Sequence, residues 1–208
     1  QSNVETKHVY AYTVSYTPKS TYSKLDGALQ LEGTKDPSTG EMNYALDQRT
    51  IGAKVTVTSP DGKNIVVAPF TNKFGSYQAE GLKAEKTSYT VKVDVPGHFT
   101  MQKQVVLSNE VRGETVGKRL NYHLPVAASG DANKDDVIDI LDAVAVQKYW
   151  GTDNAATDFN FDKVVDAKDM NYLIKNYGLQ NPTVANAPKA KSSYKGATLD
   201  SILKELGL

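Results

Sequence analysis

Apolar and polar residues alternate over much of the first two thirds of the chain, and that alternation predicts strands. Tyr10, Tyr12, Val14 and Tyr16 are interleaved with Ala11, Thr13 and Ser15, the period of a half-buried strand. Residues 17–26 read as a linker, so 1–26 form an N-terminal strand and linker. From 27 to 126 the pattern predicts strands at 28–31, 53–58, 65–68, 76–79, 89–95, 104–107 and 120–124. Two of them are clear. Tyr89, Val91, Val93 and Val95 alternate with Thr90, Lys92 and Asp94, and Leu120, Tyr122 and Leu124 alternate with Asn121 and His123. Ser59, Pro60, Asp61 and Gly62 make a turn in which proline fixes φ and glycine accepts positive φ. Short strands with this punctuation predict an all-β sandwich. Residues 34–50, with Pro37, Ser38 and Gly40, read as a loop inserted between strands.

After Pro125 the period lengthens to about 3.6 residues, and helices are predicted at 142–150 and 169–177 within a small all-α module over 130–180. Residues 181–208 then read as a linker, with Pro182 and Pro188, followed by a short helix. Leu199, Ile202, Leu203 and Leu206 fall on one face of that helix, with Thr198 placed to cap it and Gly207 to end it. So short a helix needs support, and its expected role is to clamp the two predicted helices of the module.

Charge sharpens the boundary between the modules. The 208 residues carry 24 basic and 24 acidic side chains, so no overall field favours nucleic acid or an anionic membrane. Residues 1–129 nevertheless sum to +3, 130–180 to −5 and 181–208 to +2. All ten acids of the middle segment are Asp, although Glu is the better helix former. With no Cys and only His8, His98 and His123, thiolate chemistry is excluded and most metal and acid/base chemistry with it. No apolar run approaches the roughly 20 residues needed to span a bilayer. Gln1 opens no signal peptide, and the sequence reads as part of a longer, soluble chain that is monomeric by itself.

The aspartates repeat. A shift of 27 residues lays Asp131, Asn133, Asp135, Asp139 and Asp142 over Asp158, Asn160, Asp162, Asp166 and Asp169. These are positions 1, 3, 5, 9 and 12 of a calcium loop, with backbone carbonyls expected from Val137 and Val164 at position 7. Converging carboxylates repel without a cation, so two Ca²⁺ sites are expected, each ordering its loop. At position 8, Ile138 and Val165 are expected to join the two loops by a short β-bridge. Position 6 is usually Gly but is Asp136 in one loop and Lys163 in the other, so the second loop is expected to be the more distorted. Position 12 is Asp rather than Glu in both, which requires a closer approach of the helix.

The segments GDANKDDVIDILDAVAVQKYW and DFNFDKVVDAKDMNYLIKNYG resemble a dockerin, a module of two calcium loops each followed by one helix, over residues 130–178. Upstream, IGAKVTVTSPDG, TNKFGSYQAEGL and SYTVKVDVPGHF resemble the carboxypeptidase regulatory-like or transthyretin-like, immunoglobulin-like sandwich, placed where an X-module precedes a type II dockerin. The pairing implies calcium-dependent binding of a cohesin on a scaffolding or cell-surface protein, tethering a secreted enzyme or scaffold, with polysaccharide degradation as the family's setting. Carried over residue by residue, the partner contacts implied are Ile140, Leu141, Gln147 and Lys148 in the first repeat and Ala167, Lys168, Ile174 and Lys175 in the second. The two sets differ, so one dominant orientation of the partner is expected. Ile140 and Leu141 form the more apolar pair and suit a desolvated contact, the alternative being that one of them packs inside.

No nucleophile elbow, phosphate loop or zinc motif is present, so an enzyme is not expected. His98 reads as a packing or turn residue, His123 as exposed, and Trp150 as helix-end packing. The competing function is a calcium-stabilised, non-catalytic C-terminal accessory domain of a secreted hydrolase, its repeats packed within the chain. It requires Ile140 and Leu141 to be covered; an adaptor requires them bare.

Overall fold

A computed structural model describes residues 19–208, so the strand expected at Tyr10–Tyr16 lies outside the described residues. Among the described residues, nine strands lie in the first module: β1 (Tyr22–Ala28), β2 (Lys54–Thr58), β3 (Ile65–Val67), β4 (Ser76–Lys83), β5 (Ser88–Asp94), β6 (Met101–Val106), β7 (Asn109–Val111), β8 (Glu114–Val116) and β9 (Arg119–Asn121). One sheet has the order β3-β2-β5-β6, all antiparallel, and the other β4-β1-β9. In the latter, β1 runs antiparallel to β4 and parallel to β9, while β7 and β8 form a separate hairpin. Val55, Val57, Val91 and Val93 from the first sheet and Leu25, Tyr77 and Ala79 from the second fill the space between them. The architecture is a β-sandwich followed by an α module.

Three strands, β1, β7 and β8, were not expected, and the strand expected at 28–31 reduces to Ala28 at the end of β1 and an isolated bridge from Leu31 to Ala127. Residues 22–28 are the central strand of a sheet rather than part of a linker. Their inward positions are Ser23, Leu25 and Gly27, so only one of three is apolar and the alternation is hidden. Gly27 is required there, because a Cβ would lie 2.4 Å from the phenol of Tyr77. The β7–β8 hairpin was not legible either; its turn is Arg112–Gly113, both at positive φ (54° and 81°).

The second module contains α1 (Ile140–Lys148) and α2 (Ala167–Asn176). A tail follows, with a small hairpin of β10 (Ser193–Tyr194) and β11 (Ala197–Thr198) and then α3 (Leu199–Leu206). Thr198 caps α3, accepting from Ser201 N, and Gly207 ends it in the left-handed conformation (φ 77°). One continuous hydrophobic core runs through both modules, so the α module does not depend on its own small interior. Among the described residues no helix is long and apolar enough to cross a membrane.

Candidate metal loops and partner surface

Each aspartate loop is folded by its own side chains. Asp131 accepts from the amides of Asp135 (3.1 Å) and Asp136 (3.3 Å), Asn133 Oδ1 from Asp135 N (2.9 Å), and Asp135 Oδ1 from Val137 N (3.2 Å). The second loop repeats this 27 residues on. Asp158 accepts from Asp162 N (3.2 Å) and Lys163 N (2.9 Å), Asn160 from Asp162 N (2.9 Å), and Asp162 from Val164 N (3.1 Å). Asp136 and Lys163 sit at nearly the same φ, 69° and 68°. The expected distortion of the second loop is therefore absent: the shared hydrogen bonds hold Lys163 in a left-handed conformation that lysine alone seldom takes.

Positions 9 and 12 also start the helices. Asp139 and Asp166 are N-caps, accepting from Leu141 N (2.7 Å) and Lys168 N (2.8 Å). Asp142 and Asp169 reach back to the amides of Asp139 (2.8 Å) and Asp166 (2.9 Å), completing a capping box in each repeat. Their other oxygens take amides from the loop start, Ala132 and Asn133 in one case and Phe159 and Asn160 in the other. Short carboxylates thus serve loop and helix at once, which accounts for part of the excess of Asp over Glu.

Among the described residues, no group of three or more Asp, Glu or His side chains is already gathered as an ion cage. The carboxylates are turned toward backbone amides instead. Yet each carboxylate oxygen has a second lone pair, and a calcium shell also draws on Asn and backbone oxygens. Asp131, Asp139, Asp142, Asp158 and Asp169 are all buried, and none of them is paired with a cationic side chain among the described residues. Burial pushes Asp131 up to about 6 and Asp142 and Asp169 up to about 7, and raises Asp158 as well. Buried carboxylates without compensating charge are costly, and a hard divalent cation is the species whose chemistry matches these donors.

The expected bridge between the two loops takes another form. Ile138 N donates to Leu179 O (2.9 Å) and Gly178 N to Ile138 O (2.8 Å), whereas Val165 N donates to Thr152 O (2.7 Å) and Gly151 N to Val165 O (2.8 Å). Each position 8 therefore pairs with the segment that leaves the other repeat's helix, and both side chains point into the core. The two repeats are locked reciprocally.

The sandwich grips both loops at position 4. Lys134 Nζ donates to Val95 O (3.0 Å) and to His98 O and pairs with Asp94 (2.9 Å). Phe161 stacks on the His98 ring, with centroids 5.2 Å apart and planes 5° from parallel. These residues are 27 apart and meet the same turn between β5 and β6. His98 is fully buried, so its role is packing. Pro96 O can only accept, at 2.9 Å from Nδ1, which leaves Nε2 to accept from Gly33 N (3.2 Å) and Ser129 Oγ (2.9 Å). Burial lowers the imidazole to about 4. Glu32 ties the modules at a second point, accepting from Ser129 N (3.0 Å) and Asn176 Nδ2 and pairing with Lys175 (2.7 Å). Burial pulls Glu32 upward, but hydrogen bonds from Lys175, Ser129 and Asn176 outweigh it and hold the carboxyl below its usual range. Contact is so close that a Cβ on Gly33 would stand 1.8 Å from Phe159 O. Apart from Ser129, in the 125–129 connector where an interface was expected, none of these cross-module partners was singled out from sequence as joining the modules. They are separated by tens of residues and leave no local pattern.

The eight implied partner contacts divide unequally. Ile140 is 0% exposed, within the core, and its N–H donates to Lys191 O (3.4 Å). As a surface contact it is corrected: the first residue of α1 points inward, and the tail crosses it. Leu141 is half-buried against the core, and Gln147 donates to Glu205 of α3 (2.6 Å). Lys148 is exposed, over the ring of Tyr149. In the second repeat Ala167 is half-buried, Lys168 is exposed and pairs with Asp162 (3.1 Å), Ile174 is 40% exposed, and Lys175 is exposed while pairing with Glu32.

Residues 129–187 match the family model described as the dockerin type I domain. Two solved structures share the fold, both from Acetivibrio cellulolyticus: an N-terminal interface mutant and a C-terminal interface mutant of a type II cohesin–X–dockerin complex. The first is 17% identical with a TM-score of 0.53, the second 16% identical with 0.53, and each alignment covers 76% of this chain and 97% of the other. No curated protein matches the sequence. The segment 129–187 is a dockerin domain, and with the sandwich before it the chain has the fold of an X-module–dockerin pair.

Proposed function

We propose that the chain is a calcium-dependent, non-catalytic docking unit that binds a cohesin on a scaffolding or cell-surface protein and so tethers a secreted enzyme or scaffold outside the cell. The observation that carries this reading is the pair of loops, identical in hydrogen bonding at a 27-residue interval, inside the segment matched to dockerins. Asp131, Asn133, Asp135, Val137, Asp139 and Asp142 would hold one Ca²⁺, with Asp158, Asn160, Asp162, Val164, Asp166 and Asp169 holding the other. Bound calcium supplies the positive charge that these buried carboxylates lack. At 100 times its dissociation constant each ion adds about 2.7 kcal/mol of stability. The chain's own residues do the rest: the capping boxes pass loop order to α1 and α2, and His98, Glu32 and Lys134 fix the module against the sandwich. A firm helical surface follows, cheap to dock because it is already ordered.

Recombinant cohesins immobilised on a sensor surface test this reading. Binding in millimolar calcium that disappears with chelator is expected; binding indifferent to chelator, or none to any cohesin, refutes it.

A second reading is favoured by one observation. Ile140 is covered, Leu141 is half-buried and α1 lies under α3, which meets in part what a calcium-stabilised accessory domain packed on itself requires. It predicts calcium-dependent stability with no cohesin bound.

A further inference from the structure

A duplicated loop and helix creates two equivalent faces, and the chain's own tail occupies one of them. Positions 27 apart pair Ile140 with Ala167, Leu141 with Lys168, Val144 with Asn171 and Gln147 with Ile174. Over α1, Ile202 of α3 is 1% exposed, and Leu199, Leu203 and Leu206 pack beside it. Polar contacts fix the tail's register. Gln147 donates to Glu205 (2.6 Å), Lys191 N donates to Asp139 Oδ2 (2.8 Å), and Ile140 N returns a bond to Lys191 O (3.4 Å). On α2 the equivalent face stays open, with Lys168, Asn171, Ile174 and Lys175 all exposed.

From this asymmetry we infer that residues 191–208 are a resident occupant of the first repeat's docking face, which leaves the α2 face around Ile174 as the cohesin-binding surface and fixes a single orientation of the partner. This rests on the cohesin reading above. An eight-residue helix is not stable alone, so α3 holds its form through α1. Because the tail is covalently attached, its effective concentration at α1 is high, and a partner seeking that face must displace it. On the open face Ile174 lies on the same helix as Lys168 and Lys175, which pair with Asp162 and Glu32, so the face offers a partner an apolar centre within a rim of ion pairs. Beside Lys168 a recess of about 320 Å³ continues the surface onto the sandwich, between Tyr172, Pro37 and Met42.

The chain has no cysteine, which permits a clean test. In the full chain, Gln147→Cys and Glu205→Cys are joined by a short bis-maleimide bridge, pinning α3 to α1. Cohesin affinity of the bridged protein, in millimolar calcium, should stay within about threefold of the unbridged one. In the unbridged chain, Asn171→Glu with Ile174→Asp should lower affinity by about 30-fold or more while leaving the melting temperature nearly unchanged. Binding abolished by the bridge, or unaffected by the α2 substitutions, overturns the inference while leaving the cohesin reading intact. If the unmodified chain binds no cohesin in calcium, the cohesin reading fails and the inference falls with it.

Discussion

Asp139 of the first repeat meets the backbone of Lys191, and the helix behind it lies under α3; Asp166 of the second repeat caps its own helix, accepting from Lys168 N, and that helix lies against the sandwich through Tyr172 and Asn176. The loops themselves are alike to within a few tenths of an ångström in hydrogen bonding. The duplication therefore specifies the loops, whereas the surroundings decide which helix has its outer face covered by the tail and which leaves it open to solvent.

The largest expected effect exploits position 2, where Ala132 is replaced by Phe159, fully buried against the sandwich. Phe159→Ala should destabilise the chain by about 3–5 kcal/mol in chemical denaturation, and a loss under 1 kcal/mol would place the second loop outside the shared core. Next is Ile140→Ala, expected to cost about 2–5 kcal/mol, whereas Ala167→Ser at the equivalent position should stay within about 0.5 kcal/mol. Equal costs would erase the distinction between the repeats.

Acid sharpens the role of the sandwich. His98 is neutral when folded, at about 4, and near its ordinary value of 6.5 when unfolded. Below pH 6.5 the unfolded chain therefore binds the extra proton. Its stabilising contribution is present above that pH and is lost as pH falls toward 4, by at most about 1.4 kcal/mol per pH unit. His98→Gln should flatten thermal stability between pH 6.5 and 4.5 relative to the unsubstituted chain; an unchanged slope would remove His98 from the acid response. The smallest effect belongs to the open face, where Ile174→Asp alone should shift stability by no more than about 0.5 kcal/mol.

The duplicated aspartate loops were legible because residue type and spacing repeat at a 27-residue interval, and the repetition made coincidence implausible. Helix α3 was legible for a similar reason, since Thr198, its apolar face and Gly207 are local signals. Strand β1 was not, because Ser23 and Gly27 occupy inward positions that usually carry apolar side chains. Nor was the inward turn of Ile140, whose apolar character suits a core and an interface equally well. The grip of the sandwich on Lys134 and Phe161 joins residues distant in sequence, and neither residue type marks such a contact.

Calorimetric titration of the chelator-stripped full chain with Ca²⁺, followed by thermal melting of the loaded protein, tests the central claim most directly. The account predicts two ions bound per chain and a melting temperature raised by several degrees, corresponding to roughly 2–3 kcal/mol for each ion at saturating calcium. No binding heat and an unshifted melt would contradict it.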